Sequence, residues 1–124
     1  MRIFKTRLFH RWAADEKLSD EALKKAVDEI SNGLVDANLG GSVYKKRVAI
    51  QGRGKSAGVR TLIAFRVEDK AFFMYGFAKN MRDNIKDSEL KALKTMACEL
   101  LGYTEKKLAD MVKQNKLIEV QVDE

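Results

Sequence analysis

The sequence predicts an α+β protein: a small antiparallel sheet with an N-terminal helix hairpin and C-terminal helices. Apolar residues recur at three-to-four spacing before residue 33 and again after residue 87, which is typical of amphipathic helices. Between residues 43 and 78 they alternate with other residues, which is typical of strands. A chain of 124 residues with 45% hydrophobic content is long enough for a normal core. We therefore expect a single domain over residues 1–124.

The chain begins with one predicted strand and two predicted helices. Residues 1–5 alternate around Ile3 and indicate a short strand. Thr6 and Ser19 are residue types that cap helices, and the acids after Ser19 favour the positive end of a helix dipole. Asn32-Gly33 is a typical helix end. The two helices are expected to pack as a hairpin against the sheet.

Three strands are predicted next, at Val43–Ile50, Val59–Val67 and Ala71–Ala78. The last two carry apolar residues on both faces, which predicts that they form the centre of the sheet. The short Glu68-Asp69-Lys70 connection makes them antiparallel neighbours. Strict alternation places Phe73, Tyr75 and Phe77 on one face of the third strand, and Phe72, Met74 and Gly76 on the other.

The helical pattern returns at Asp87 and continues to Gly102, which ends it. Thr104 is a weak cap for a further helix. Residues 117–122 alternate again, which predicts an edge strand or a partner-binding segment.

Positive charge is concentrated in one third of the chain. Residues 43–82 contain ten Lys or Arg and two acids, a net charge of +8, while the other 84 residues have a net charge of −2. Because this excess falls on the predicted strands, it favours a polyanionic partner such as RNA or DNA over a merely solvated surface.

Composition excludes several kinds of chemistry. With one cysteine and one histidine, the chain has neither an internal disulfide nor a Cys/His zinc site, and a Ser-His-Asp triad would depend on His10. Cys98 is expected to be a buried or partly buried structural thiol. We expect no metal and no cofactor. With no apolar run long enough to span a membrane and no signal-peptide pattern at the N-terminus, we expect a cytoplasmic protein without a membrane partner.

The loop Gly52-Arg53-Gly54-Lys55-Ser56 resembles the end of a phosphate-binding P-loop. The full pattern requires glycine at position 49, which is Ala49, and a helix after the serine, where a strand is predicted. The loop still presents two bases on a flexible backbone, so we expect it to contact phosphate.

Bases on the three strands are expected to converge. Lys45 and Arg47 share one face of the first strand, Arg60 lies on the next, and Lys79 and Arg82 follow the third. Crowded like charges are unfavourable unless an anion joins them, which predicts phosphate binding. A cluster of this kind can also cleave RNA, since Lys or Tyr can transfer protons and Arg can stabilise the phosphate. Composition does not separate cleavage from binding.

Short motifs in this region resemble the RelE/ParE superfamily of bacterial toxins, most closely its RelE-like/HigB-like branch. They are Val-Tyr-Lys-Lys-Arg-Val, Gly-Arg-Gly-Lys-Ser-Ala-Gly-Val-Arg-Thr, Ala-Phe-Arg and Tyr-Gly-Phe-Ala-Lys-Asn. The resemblance covers about residues 1–101 and is strongest over 40–85, which implies that residues 102–124 are a C-terminal extension of the domain. It implies a small sheet flanked by helices, and a ribosome-dependent mRNA endonuclease that inhibits translation, with a cognate antitoxin and ribosome-bound mRNA as partners.

The resemblance also implies site residues. The catalytic set would be Lys45, Arg47, Arg60, Lys79 and Arg82, and the RNA-binding set would be Lys46, Arg53, Lys55, Asn80 and Lys86. Asn80 stands where such toxins tend to carry arginine, and Lys86 where they carry tyrosine, so the general base stays unassigned. Two alternatives remain open: a gyrase-inhibiting toxin of the same fold, and a non-catalytic nucleic-acid-binding domain.

Overall fold

A computed structural model describes residues 1–50, 54–79, 81–82 and 84–121, with the backbone alone for residues 54–57. Over this part of the chain, six strands form one sheet and four helices flank it. In chain order the elements are β1 (Arg2–Thr6), α1 (Arg7–Asp15), α2 (Asp20–Ser31), β2 (Ala37–Asn38), β3 (Val43–Ile50), β4 (Gly54–Arg66), β5 (Lys70–Ala78), α3 (Asp87–Leu101), α4 (Glu105–Lys113) and β6 (Leu117–Glu119).

The strand order across the sheet is β2-β3-β4-β5-β1-β6. The predicted α+β class and the antiparallel central pair β4–β5 are confirmed. The prediction of an antiparallel sheet holds only in part, because β1 pairs with β5 in parallel and makes the sheet mixed. Two helices and three strands separate β1 from β5 in the chain, which leaves ample length for the crossover that a parallel pair requires.

The predicted helix starts have the expected caps. The Thr6 hydroxyl accepts a hydrogen bond from the Phe9 amide at 3.2 Å, and the Ser19 hydroxyl accepts one from Ala22 at 3.1 Å. Thr104 caps α4 in the same way through the amide of Lys107. Each of these bonds satisfies one of the amides that a helix start leaves without an internal partner.

Helices cover both faces of the sheet. On one face α1 packs against β5 and α2 against β3, and on the other α3 packs against β4 and β5. Buried residues of the first layer include Phe9, Leu23, Val27, Val48 and Phe73. Buried residues of the second layer include Phe4, Leu62, Phe72, Leu101 and Leu108. The apolar stripes of the helices are therefore core.

A bulge interrupts the pairing of β4 with β5. Leu62 lies opposite Tyr75 while Ile63 lies opposite Phe73, so Met74 is an extra residue on β5. The predicted alternation is wrong beyond this point. Tyr75 and Phe77 join Met74 on the α3 face, whereas Phe73 faces α1. A bulge of one residue shifts every later side chain to the opposite face.

Cys98 is exposed, which corrects the expectation of a buried thiol. The core side of α3 is formed by Leu93, Ala97, Leu100 and Leu101, so the cysteine between them falls on the solvent side. No helix in the described part of the chain combines the length and apolar character needed to cross a membrane.

Gly76 lies directly beneath the ring of Trp12, and a Cβ atom added there would be 2.1 Å from a ring carbon. We expect Gly76→Ala to lower the free energy of unfolding by about 1–3 kcal/mol, as overpacking does, and to shift the emission of Trp12. Urea denaturation followed by fluorescence measures both. Gly102→Ala is the control, because Gly102 has an ordinary helical φ of −89° and should change stability much less. Equal effects of the two substitutions would contradict this packing.

Candidate nucleic-acid interface

Two rows of side chains cross the sheet on the α3 face. Strand register places Lys45, Leu62 and Tyr75 in one row. The next row contains Arg47, Arg60 and Phe77. The bulge brings Tyr75 and Phe77 into these rows, because without it they would face α1. The α3 face of the sheet therefore carries cationic and aromatic side chains together, of which Phe77 is buried, as is Leu62.

Arg47 and Arg60 are direct cross-strand neighbours. Like charges at such positions repel each other, since their Cβ atoms are only about 5 Å apart. The Nε of Arg47 is held by the Asp36 carboxylate at 3.2 Å, while half of its side chain stays exposed. The Nη1 of Arg60 is buried and finds no hydrogen-bond acceptor among the described residues. A buried cationic donor without an acceptor is unfavourable, and an anionic oxygen would satisfy it.

Arg82 connects the aromatic side chains to the start of α3. Its guanidinium pairs with both carboxylate oxygens of Glu89, Nη1 lying 3.0 Å from Oε2, and it donates a hydrogen bond of 3.2 Å to the Tyr75 hydroxyl. It also lies 5.7 Å from the centroid of the Phe77 ring, within the range of a cation–π contact. These contacts fix the position of Arg82 and of the phenol oxygen of Tyr75.

The charges of this pair stabilise each other. Hydrogen bonds from Arg82, and then from the Lys86 amide, lower the pKa of Glu89 from 4.5 to about 2. The hydrogen bond with Glu89, and then the bond with Tyr75, raise the pKa of Arg82 above its already high usual value. Both groups therefore remain charged throughout the physiological range.

The structure brings some of the predicted residues together and separates others. Lys45, Arg47, Arg60 and Arg82 share the α3 face, and Lys79 is exposed directly after β5. Lys86 is exposed at the N-cap of α3. The predicted residues Arg53 and Asn80 lie outside the described residues, as does the side chain of Lys55.

Lys46 requires a correction. Only 4% of the residue is exposed, and its ammonium lies 3.1 Å from the Glu29 carboxylate and donates a 2.8 Å hydrogen bond to the Leu34 carbonyl. Its side chain points to the α2 face, since neighbours along a strand alternate. Lys46 thus fastens α2 to the sheet and is not accessible to RNA.

Sequence reasoning missed Tyr75, Glu89 and Asp36. The tyrosine was placed on the wrong face because nothing in the local pattern marks the bulge. Glu89 lies seven residues beyond Arg82, across the turn into α3, and Asp36 lies before β2. The described residues contain no group of three or more His, Cys, Asp or Glu able to hold a metal ion.

The protein is α+β, and basic side chains lie on one face of its sheet. A family model described as the RelE toxin of the RelE/RelB toxin–antitoxin system matches residues 1–120. The chain therefore belongs to the RelE toxin family, as the resemblance indicated, and the match extends through α4 and β6. Toxins of this family pair with a cognate antitoxin. A comparison with curated proteins finds no match.

We expect Glu89→Gln to destabilise the protein at neutral pH and to do so less as the pH falls. The folded pKa of Glu89 is lowered from 4.5 to about 2, so its contribution to stability is complete above 4.5 and is lost as the pH falls through 2. Urea denaturation of both proteins across this range measures the difference. Asp110→Asn, on the exposed side of α4, is the control. A difference between wild type and Glu89→Gln that stays constant with pH would contradict the ion pair.

Proposed function

We propose that this chain is a ribosome-dependent mRNA endonuclease that inhibits translation. The observation that carries the proposal is the Arg47–Arg60 pair, with one buried guanidinium nitrogen that has no acceptor among the described residues. A phosphodiester oxygen satisfies that donor and relieves the repulsion between the two arginines. Dependence on the ribosome is supported by family membership alone.

The two rows suggest how cleavage proceeds. RNA carries its own nucleophile, the 2′-hydroxyl, which attacks the adjacent phosphorus while the bond to the 5′-oxygen breaks. An in-line attack places the proton acceptor and the proton donor on opposite sides of the phosphate. Lys45 on β3 and Tyr75 on β5 stand on either side of Leu62, with backbones about 10 Å apart. Two long side chains across such a distance are suited to flank a phosphodiester.

In this proposal each group has one role. Lys45 lies on the side of the 2′-hydroxyl and accepts its proton. Tyr75 accepts a hydrogen bond from Arg82, so its own O–H remains available to protonate the departing 5′-oxygen. Arg47 and Arg60 stabilise the charge that develops on the phosphate. The products are a 2′,3′-cyclic phosphate and a 5′-hydroxyl, and a proton that returns from Lys45 to Tyr75 through solvent restores both groups.

The remaining predicted residues would bind the flanking RNA. Lys79 and Lys86 are exposed before and after Arg82 in the chain. Lys79 was predicted to be catalytic, and in this proposal it binds RNA, as Lys86 does. Arg53, Lys55 and Asn80 keep the RNA-binding role that the resemblance implies. Lys46 is left out of the proposal, because its ammonium is buried against α2.

The first experiment tests cleavage. We expect induced expression in bacteria to arrest growth and to produce new 5′ ends within translated codons, detected by primer extension on an abundant mRNA. The purified protein should cut the same message in the presence of ribosomes and not without them. Growth arrest without new ends would contradict nuclease activity and favour the gyrase alternative, while no arrest would favour a binding domain.

Arg60→Ala should abolish growth inhibition and lower the cleavage rate by about 10²–10³-fold, the loss typical of removing one transition-state donor. Thermal denaturation should show an intact fold. Arg60→Lys should recover little activity, because lysine lacks the planar fork of donors. The matched control is Arg66→Ala on the same strand, whose side chain binds the Leu101 carbonyl and Asp69 away from the interface. A fully toxic Arg60→Ala protein would overturn the assignment.

A further inference from the structure

The Glu89 carboxylate connects the start of α3 to the end of β5. Its Oε1 accepts a hydrogen bond of 2.8 Å from the Lys86 amide, and both of its oxygens pair with the guanidinium of Arg82. Arg82 in turn donates a hydrogen bond of 3.2 Å to the Tyr75 hydroxyl. A continuous chain of hydrogen bonds therefore runs from the first turn of α3 to the phenol that we assign as the proton donor.

The guanidinium of Arg82 is held in one plane. It uses four of its five N–H donors, because Nε donates to the Asn84 carbonyl at 3.0 Å, Nη1 donates to both Glu89 and Tyr75, and Nη2 donates to Glu89. Two parallel bonds to one carboxylate fix the orientation of a guanidinium as well as its distance. The plane that Glu89 imposes therefore sets the direction from which Tyr75 receives its hydrogen bond.

The orientation of the Tyr75 hydroxyl depends on that bond. A phenol O–H prefers the plane of its ring and has two directions to choose from, so a donor on one side turns the O–H to the other. Arg82 is the partner that the described residues provide for this hydroxyl. β1 pairs with β5 only as far as Phe73, so in the described part of the chain no strand supports Tyr75 on that side.

We propose that Glu89 is a positioning residue for RNA cleavage, which holds Arg82 so that the Tyr75 O–H points to the departing 5′-oxygen. This inference rests on the proposed nuclease function and concerns its second proton transfer. In that step the bond between phosphorus and the 5′-oxygen breaks, the electron pair stays on the oxygen, and the Tyr75 proton passes to it. Glu89 itself contacts neither the RNA nor the reacting atoms.

Helix capping alone leaves part of this geometry without a purpose. A capping box needs one carboxylate oxygen, and Oε1 of Glu89 provides it for the Lys86 amide. The second oxygen, Oε2, lies 3.0 Å from Nη1 of Arg82, the same nitrogen that donates to Tyr75. Asp87, the other acid in this turn, is exposed, and the acceptors of Arg82 among the described residues do not include it.

Glu89→Gln tests the proposal in steady-state cleavage of an mRNA on programmed ribosomes. Glutamine keeps the length of the side chain but presents one acceptor and an NH2 group that opposes the guanidinium, so the bidentate hold on Arg82 is lost. We expect kcat to fall by about 10–100-fold, as for a misplaced catalytic group, with KM nearly unchanged. Asp87→Asn removes the same charge from the same turn and should cleave as the wild type does. Thermal denaturation sets an assay temperature at which every variant is folded.

A second substrate distinguishes positioning of the proton donor from a general loss of structure. In this mRNA a sulfur atom replaces the 5′-oxygen at the cleaved bond, and the thiolate departs without needing a proton. Glu89→Gln and Tyr75→Phe should both cut it at nearly the wild-type rate, although both are slow on the natural linkage. An equal loss on both substrates would overturn the proposal, since it would mean that the site is distorted or that Glu89 itself reacts.

A double-mutant cycle gives an independent test. If Glu89 acts only through the Tyr75 hydroxyl, then Glu89→Gln should have no further effect on kcat in a Tyr75→Phe protein, and effects that multiply would contradict the proposal. A Glu89→Gln protein that cuts the natural mRNA as fast as an active wild type would overturn this inference alone. A wild type that cuts neither substrate would overturn the proposed function, and this inference with it.

Discussion

The bulge at Met74 organises the candidate functional surface. Both faces of the central strand β5 are covered by helices. The extra residue shifts the later side chains of β5 to the faces opposite those that strict alternation predicts. Before the bulge, Phe72 supports α3 and Phe73 supports α1. After it, Tyr75 and Phe77 turn toward the basic rows, and Gly76 is left facing α1, where its lack of a side chain makes room for Trp12. The one-residue bulge therefore determines both which aromatic side chains join the basic rows and where Trp12 packs.

The Lys and Arg residues of positions 43–82 lie on different faces and at different ends of the sheet. On the α2 face, Lys46 is paired with Glu29 and serves the fold. At the turn between β4 and β5, Arg66 and Lys70 are paired with Asp69. On the α3 face, the Arg60 side chain keeps a buried donor without an acceptor among the described residues. Acids therefore pair with Lys46, Arg66 and Lys70, and also with Arg47 through Asp36, whereas the Nη1 of Arg60 has no acceptor among the described residues.

Arg82 connects the aromatic side chains of β5 to the start of α3. Its guanidinium is held by the Glu89 carboxylate and donates a hydrogen bond to the Tyr75 hydroxyl. The position of Tyr75 at the end of β5 therefore depends on an ion pair with a residue of α3.

By itself, the sequence determined the four helices, the caps of three of them, every strand except β2, the central hairpin, and the concentration of positive charge on the strands. These features follow from local periodicity, capping residues and composition, which can be read directly from the sequence without knowing which distant segments are in contact. Tertiary structure decided the parallel pairing of β1 with β5, the exposure of Cys98 and the face taken by each β5 residue after Met74. It also decided which bases are structural. The adjacent Lys46 and Arg47 take opposite faces and meet different acids, Glu29 of α2 and Asp36 before β2. Pairing register and contacts between distant segments are set by packing of the whole chain, which no local pattern encodes.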